Sequence, residues 1–221
     1  GERGQLRQIP GVQSERVQGQ EANIIALVLA AGSSKRMGKQ NKLLAEVAGK
    51  PMIRHVIEAI RKSNIQSIIV VTGYDAELLQ QALGDQEISF VHNPDYDSGL
   101  STSLKAGLKT ISEKTDGVLI CLGDMPLLTS TIIDTLIRAF DPIEGRSICV
   151  PIHGRKRGNP VLWDKSYLSE MAGILGDVGA KQLLEMHTDQ IFEVLIEEDT
   201  VLFDVDTPDL LQKLNERLKQ S

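Results

Sequence analysis

Apolar positions along this chain follow two alternating rhythms from Asn23 onward. The first is a set of short runs rich in β-branched residues: IIALVLA (Ile24–Ala30), SIIVV (Ser67–Val71), ISFV (Ile88–Val91), GVLICL (Gly117–Leu122) and SICV (Ser147–Val150). Three of them are almost continuously apolar, which is the pattern of strands covered on both faces in a mainly parallel sheet. The second rhythm has helical spacing. In PMIRHVIEAIRK, Met52, Val56, Ile57 and Ile60 share one face, and Pro51 suits the first turn, where its missing N–H costs nothing. DAELLQQALG offers Asp75 as a cap and Gly84 as a stop. STSLKAGLKTI opens with hydroxyls able to cap, and TSTIIDTLIRAF opens with Thr129.

This alternation predicts an α/β domain, Rossmann-like and doubly wound, with a mainly parallel central sheet between helical layers. In such sheets ligands bind beyond the carboxyl ends of the strands. After Val150 the rhythm changes. VPIHGRKRGNPVLW reads as two extended pieces joined by a Gly- and Arg-rich turn, and GDVGAKQLLEMH as a loop feeding a helix. IFEVLIEEDTVLFDVDTPDLLQKLNERL gives one or two strands and then a final helix, with Pro208 in its first turn and Asp206 or Thr207 as cap. Residues 1–22, rich in Gln, Gly, Arg and Glu, read as a flexible arm or linker, and 23–221 as the folded domain.

Composition narrows the function. The 221 residues are 41% hydrophobic and 24% charged, enough to bury one sizeable core. A net charge of −6 argues against nucleic acid or an anionic membrane surface as partner. No stretch approaches a membrane span and the N-terminus has no secretory h-region. The two cysteines, Cys121 and Cys149, sit apart inside apolar runs and read as reduced, buried thiols of a cytoplasmic protein. His55, His92, His153 and His187 are scattered without metal-ligand spacing.

Five stretches carry the chemistry. LVLAAGSSKRMGKQNKLL puts Ala31, Gly32 and Gly38, with Arg36 and Lys42, after the first strand. Small residues let backbone N–H groups approach a phosphate, Arg36 offers a planar fork, and Lys42 a point charge. Neither familiar phosphate-loop pattern is matched, and a glycine turn with solvated cations is the plainer alternative. CLGDMPLL ends a buried strand at Gly123 and Asp124, on the same rim. A carboxylate there suits Mg²⁺, or it simply caps a turn. In FDVDTPDLL, Asp204 and Asp206 are read as facing opposite sides of a strand end, so that Asp206 joins the metal and Asp204 matters less. DSGLSTSLKAG places Gly99, Ser101 and Ser103 at a helix start, suited to a base edge or a phosphate. RKRGNPVLW gathers Arg155, Lys156 and Arg157 before Gly158, either an anion-binding turn or an exposed hairpin tip.

These stretches, with GKPMIRHVI and GDVGAKQLL and in their order along the chain, resemble the MobA-like nucleotidyltransferases, and within them the molybdenum cofactor cytidylyltransferase branch. The resemblance runs from Ile24 to about Leu218. It implies a Rossmann-like three-layer nucleotidyltransferase fold and Mg²⁺-dependent transfer of a nucleoside monophosphate to a phosphorylated acceptor. Carried over, it implies catalytic roles for Arg36, Lys42 and Asp124, with Asp124 and Asp206 on the metal. It implies ligand contacts from Leu29, Ala30, Ala31, Gly32 and Ser33, from Gly73, and from Gly99, Ser101, Ser103 and Gly123. On the acceptor side it implies Arg157, Gly158, Pro160 and Asp177. Ala31 in L-A-A-G resembles the CTP-using members, whereas the guanylyl-transferring ones typically carry L-x-G-G. CTP is then the donor and a molybdopterin-type cofactor the acceptor, with a molybdoenzyme or its chaperone as the macromolecular partner class.

A phosphate monoester is largely an oxyanion at neutral pH, its second pKa being about 6, so the attack needs no general base. Guanylyl transfer, cytidylyl transfer to another phosphorylated small molecule, a non-catalytic molybdopterin binder and a serine hydrolase using Ser101 remain as alternatives.

Overall fold

The computed structural model describes residues 21–32, 41–84, 87–175 and 180–220. Ser33, Arg36 and Asp177, with nearly all of the arm, lie outside the described residues. The strands are β1 (Ile24–Ala30), β2 (Glu46–Val47), β3 (Lys50–Pro51), β4 (Ser67–Thr72), β5 (Ser89–His92), β6 (Gly117–Leu122), β7 (Ile148–His153), β8 (Lys156–Arg157), β9 (Val161–Asp164) and β10 (Ile191–Leu195). The helices are α1 (Met52–Arg61), α2 (Ala76–Leu83), α3 (Leu100–Leu108), α4 (Ser130–Ala139), α5 (Leu168–Ala172), α6 (Lys181–Met186) and α7 (Pro208–Lys219).

The main sheet has the order β10-β7-β9-β6-β1-β4-β5, with β8 beside β7. Strands β6, β1, β4 and β5 are mutually parallel, and β10 is parallel to β7. Strand β9 runs antiparallel to both β6 and β7. β1 lies at the centre, and its alternation sorts the helices into two layers. Ile24, Ala26, Val28 and Ala30 face one core with Ile53 and Ile57 of α1, Leu79 of α2, Ile132 of α4 and Leu214 of α7. Ile25, Leu27 and Leu29 face the other with Leu104 of α3, Met171 of α5 and Leu183 of α6. Burial on both faces is why β1 reads as one unbroken apolar run.

Helix ends show where local chemistry and tertiary context agree. Thr129 accepts from Ile132 N at 3.2 Å and Thr207 from Leu210 N at 3.3 Å, each starting its helix as its residue type predicts. Two expected caps differ. Asp75 occupies the cap position of α2 in a left-handed conformation (φ 56°) and makes no capping hydrogen bond. At α3 the cap position is Gly99 (φ 111°), and the expected hydroxyl caps lie inside the helix, with Thr102 Oγ1 donating back to Gly99 O at 2.7 Å.

The last stretch before α7 corrects a more consequential expectation. FDVD is no strand; a 3₁₀ turn at Asp199–Leu202 leads into irregular chain. Asp204 and Asp206 do not face opposite sides. Val205 is fully buried between them, and its N–H donates to Asp124 O at 2.9 Å. Residues two apart share a side whenever the chain is extended, so burying Val205 sends both carboxylates to the rim.

Candidate active site

The site lies where β1 and β6 end side by side. Gly123 N donates to Leu29 O at 3.2 Å and Tyr74 N to Ala31 O at 3.1 Å, so three strand ends are tied at one level. A hollow of about 460 Å³ opens there. Its walls include Leu29, Ala30, Ala31, Gly32, Lys42, Gly99, Ser103, Gly123 and Asp124, all expected from sequence. They also include Leu43, Tyr96, Asp97 and Leu100, which the sequence reading passed over.

Lys42 begins a short 3₁₀ turn, Lys42–Leu44, that Asn41 caps by accepting from Leu43 N at 3.0 Å. Leu43 is buried, so the backbone is anchored and the Lys42 stem projects over the rim. Its ammonium donates to Asp124 Oδ2 at 2.8 Å and to Asp206 Oδ1 at 3.1 Å. Read from sequence as a phosphate contact, Lys42 here bridges two carboxylates 82 and 164 positions away in the chain.

Asp124, Asp204 and Asp206 each offer an oxygen within 4.8 Å of the others, and among the described residues they are the group whose spacing would hold a metal ion. Burial pushes the Asp124 carboxyl above its ordinary pKa, opposed by Lys42. Burial, then a hydrogen bond and the charges of its neighbours, raise Asp204 to about 6. Burial works against the Lys42 charge, yet the two aspartates outweigh it and hold its pKa above the ordinary value. Three carboxylates thus face one ammonium, and Asp124 Oδ1 is buried without a hydrogen-bond partner. Hard oxygen donors, excess negative charge and an orphaned buried oxygen together fit a divalent cation of the Mg²⁺ or Mn²⁺ type.

At the α3 end, buried Asn93 donates through Nδ2 to Thr102 Oγ1 at 2.9 Å and to Ser103 Oγ at 3.0 Å. Its Oδ1 accepts from Asp95 N at 3.0 Å, so one amide fixes the loop and the helix start together. Ser103 reaches the hollow, whereas Ser101 is buried and lines none of the three hollows of this rim. Gly73 lies behind the site: a Cβ there would come within 2.6 Å of Tyr96 Cβ and 2.9 Å of Ala31 O. Its smallness seats Tyr96, and Tyr96 forms the wall.

Two further hollows continue the rim. One, of about 430 Å³, has a floor of Leu104, Ile120, Val161 and Trp163, with Arg157, Asn159, Lys181 and Glu185 around it. The other, of about 530 Å³, lies between Met125, Lys156–Asn159 and Val201–Asp204. Gly158, expected to admit a ligand, lines both of these hollows and also makes room for the chain itself. A Cβ there would collide with the Val201 carbonyl oxygen, and Asn159 N donates to that oxygen at 2.9 Å. Arg157 is exposed, with Glu193 at 3.6 Å. Pro160 is buried and lines none of the hollows.

Among the described residues no histidine lines these hollows, and Ser101 lines none of them either. Both cysteines are buried, and burial pushes the Cys149 thiol up to about 12 and Cys121 higher still, which leaves them unreactive. Among the described residues no helix is long and apolar enough to cross a membrane.

With the geometry in place, the comparisons are decisive at family level. Residues 26–191 match the MobA-like NTP transferase domain. The chain belongs to that family. It is therefore a nucleotidyltransferase by descent, with the acidic rim where strand ends meet. The molybdenum cofactor cytidylyltransferase of Escherichia coli (strain K12) is 32% identical over 187 residues, 84% of this chain and 92% of that protein. Among solved structures, the Mycobacterium sp. strain JC1 homologue of Mycobacterium tuberculosis rv0371c superposes with a TM-score of 0.80 at 24% identity, covering 91% of this chain and 99% of that one. Rv0371c of Mycobacterium tuberculosis H37Rv, in complex with manganese, superposes with a TM-score of 0.73 at 23% identity, covering 88% and 99%. At these identities the superpositions establish the fold.

Proposed function

We propose that this nucleotidyltransferase moves CMP from CTP to the terminal phosphate of a molybdopterin-type cofactor and releases pyrophosphate. The observation that carries the reading is the convergence of Lys42, Asp124 and Asp206 beside a hollow of nucleotide size. The E. coli relative supports the choice of CTP and acceptor, and Ala31 in the wall of the hollow is consistent with it.

An acceptor phosphate oxygen attacks the α-phosphorus of CTP. The bond to the bridging oxygen breaks, and pyrophosphate carries the electron pair away. Asp124 and Asp206, with Asp204 beside them, would hold the divalent cation, which supplies charge neutralisation between the reacting phosphates. Backbone at Ala31 and Gly32 borders the triphosphate, Lys42 offsets its charge, and Ser103 with the α3 start faces the base. The apolar second hollow suits a flat heterocycle, with Arg157 and Lys181 near its anionic group. No side chain must take a proton, in keeping with a rim without histidine.

Pyrophosphate release, screened with four nucleoside triphosphates against phosphorylated acceptors, tests the reading. CTP with a molybdopterin-type acceptor should turn over fastest. A preference for GTP would redirect it to guanylyl transfer, turnover with another acceptor would reassign the second hollow, and ligand binding without turnover would make the chain a carrier.

A further inference from the structure

We infer that Lys42 and a divalent cation compete for Asp124 and Asp206, so that the cation is held tightly only after a triphosphate has drawn the ammonium away. The inference rests on the reading of these carboxylates as metal-holding residues and adds how their occupancy is controlled.

The geometry is specific. Lys42 Nζ stands 2.8 Å from Asp124 Oδ2 and 3.1 Å from Asp206 Oδ1, the carboxylates that the metal reading requires. A cation held at the usual ~2.1 Å by the same oxygens would lie within a few ångströms of that ammonium. Like charges so close in a partly buried site repel strongly. One must leave, and Lys42 is built to do so. Its backbone is fixed by the Asn41 cap and by buried Leu43, while a lysine's four-carbon stem has rotatable bonds that let the ammonium change partners. The nearest open space is the first hollow, which Lys42 itself lines. An ammonium moved there needs an anion, and a triphosphate provides one.

Linkage then runs both ways. A nucleotide that accepts Lys42 raises metal affinity, and the metal raises nucleotide affinity by the same factor. Without nucleotide, Lys42 neutralises part of the carboxylate cluster and keeps the site assembled. Asp124 Oδ1, buried and unpartnered, is the oxygen that the ammonium does not satisfy.

The test uses Mn²⁺ as probe, with free ion counted by its paramagnetic resonance signal in nucleotide-free protein. Lys42→Gln should bind Mn²⁺ at least about tenfold more tightly than the parent protein, because the competing charge is gone. Lys42→Met, a second neutral replacement, should do the same and guards against a folding defect in the first. Lys42→Arg should stay within about threefold of the parent, since the charge remains. Adding Asp206→Asn to Lys42→Gln should abolish the gain. If neutral replacements bind Mn²⁺ no more tightly than the parent, the competition is refuted while the metal site stands. If no protein binds Mn²⁺, even with CTP present, the metal reading falls and this inference with it.

Discussion

The two ends of the rim are made differently. At the proposed nucleotide end one ion pair is sheltered: Lys42 and Asp124 keep 19% and 13% of their side-chain surface and meet at 2.8 Å, with the more open Asp206 beside them. At the proposed acceptor end Arg157 and Glu193 keep 38% and 45% and stand 3.6 Å apart. In the first pair the Asp124 backbone is anchored beside the end of β6, where its carbonyl accepts from Val205 N. The second joins Arg157 of the two-residue strand β8 to Glu193 of β10, at the edge of the sheet. Charges carried on anchored backbone suit a part common to all donors, the triphosphate. Exposed charges on a short strand suit the part that differs between acceptors.

The contrast breaks most sharply at Asp124. Asp124→Asn keeps the shape but offers a much poorer ligand, and should cut pyrophosphate release by about 100-fold or more, with the thermal midpoint little changed. A loss of only a few-fold would mean that the sheltered end is not the reacting end. Next in size is Gly158→Ala, which probes the tie between the ends. Its methyl group meets the Val201 carbonyl, so stability should fall by about 1–3 kcal/mol, read from denaturant melts. Because the displaced segment leads to Asp204 and Asp206, Mn²⁺ binding should weaken too. An unchanged melt would show that the turn yields freely.

Arg157→Ala should raise the KM for the acceptor about tenfold while leaving that for CTP nearly unchanged, the loss expected of a charge-assisted contact. An equal rise in both would erase the division of labour. Arg155→Ala and Lys156→Ala should be the mildest, within about twofold in either KM, as exposed charges contribute little. If all three cationic positions behave alike, the turn is only surface and Lys181 becomes the acceptor contact to test.

Much of the frame was legible in the chain. IIALVLA and GVLICL give β1 and β6 to the residue, because strands buried on both faces leave no polar position to blur their ends. Thr129 and Thr207 announce their helices because a side-chain cap is a local event. The first hollow was mostly legible too, since Ala31, Gly32, Gly123 and Asp124 follow those strands directly. What escaped depends on distant partners. Asn93 looks like an ordinary turn residue before proline, and nothing nearby in sequence shows that it grips Ser103. Gly158 borders two hollows, but nothing near it in sequence shows that it also makes room for Val201, 43 residues on. Asp204 was set on the wrong side by a misapplied alternation, which buried Val205 corrects. Lys42 was recognised as a cation for phosphate, while its bridge between Asp124 and Asp206 required three separate segments to be seen together.

That hydrogen bond from Val205 to Asp124 has a consequence for the order in which the protein becomes competent. During synthesis the amino-terminal part of a domain leaves the ribosome first. A nascent chain extended as far as Asp199 already contains every residue of the first hollow's wall, Lys42 and Asp124 included. It lacks both Asp204 and Asp206, and it lacks the backbone donor that seats them. Such a chain carries only one of the three carboxylates of the proposed metal site, so an unfinished translation product would be unarmed.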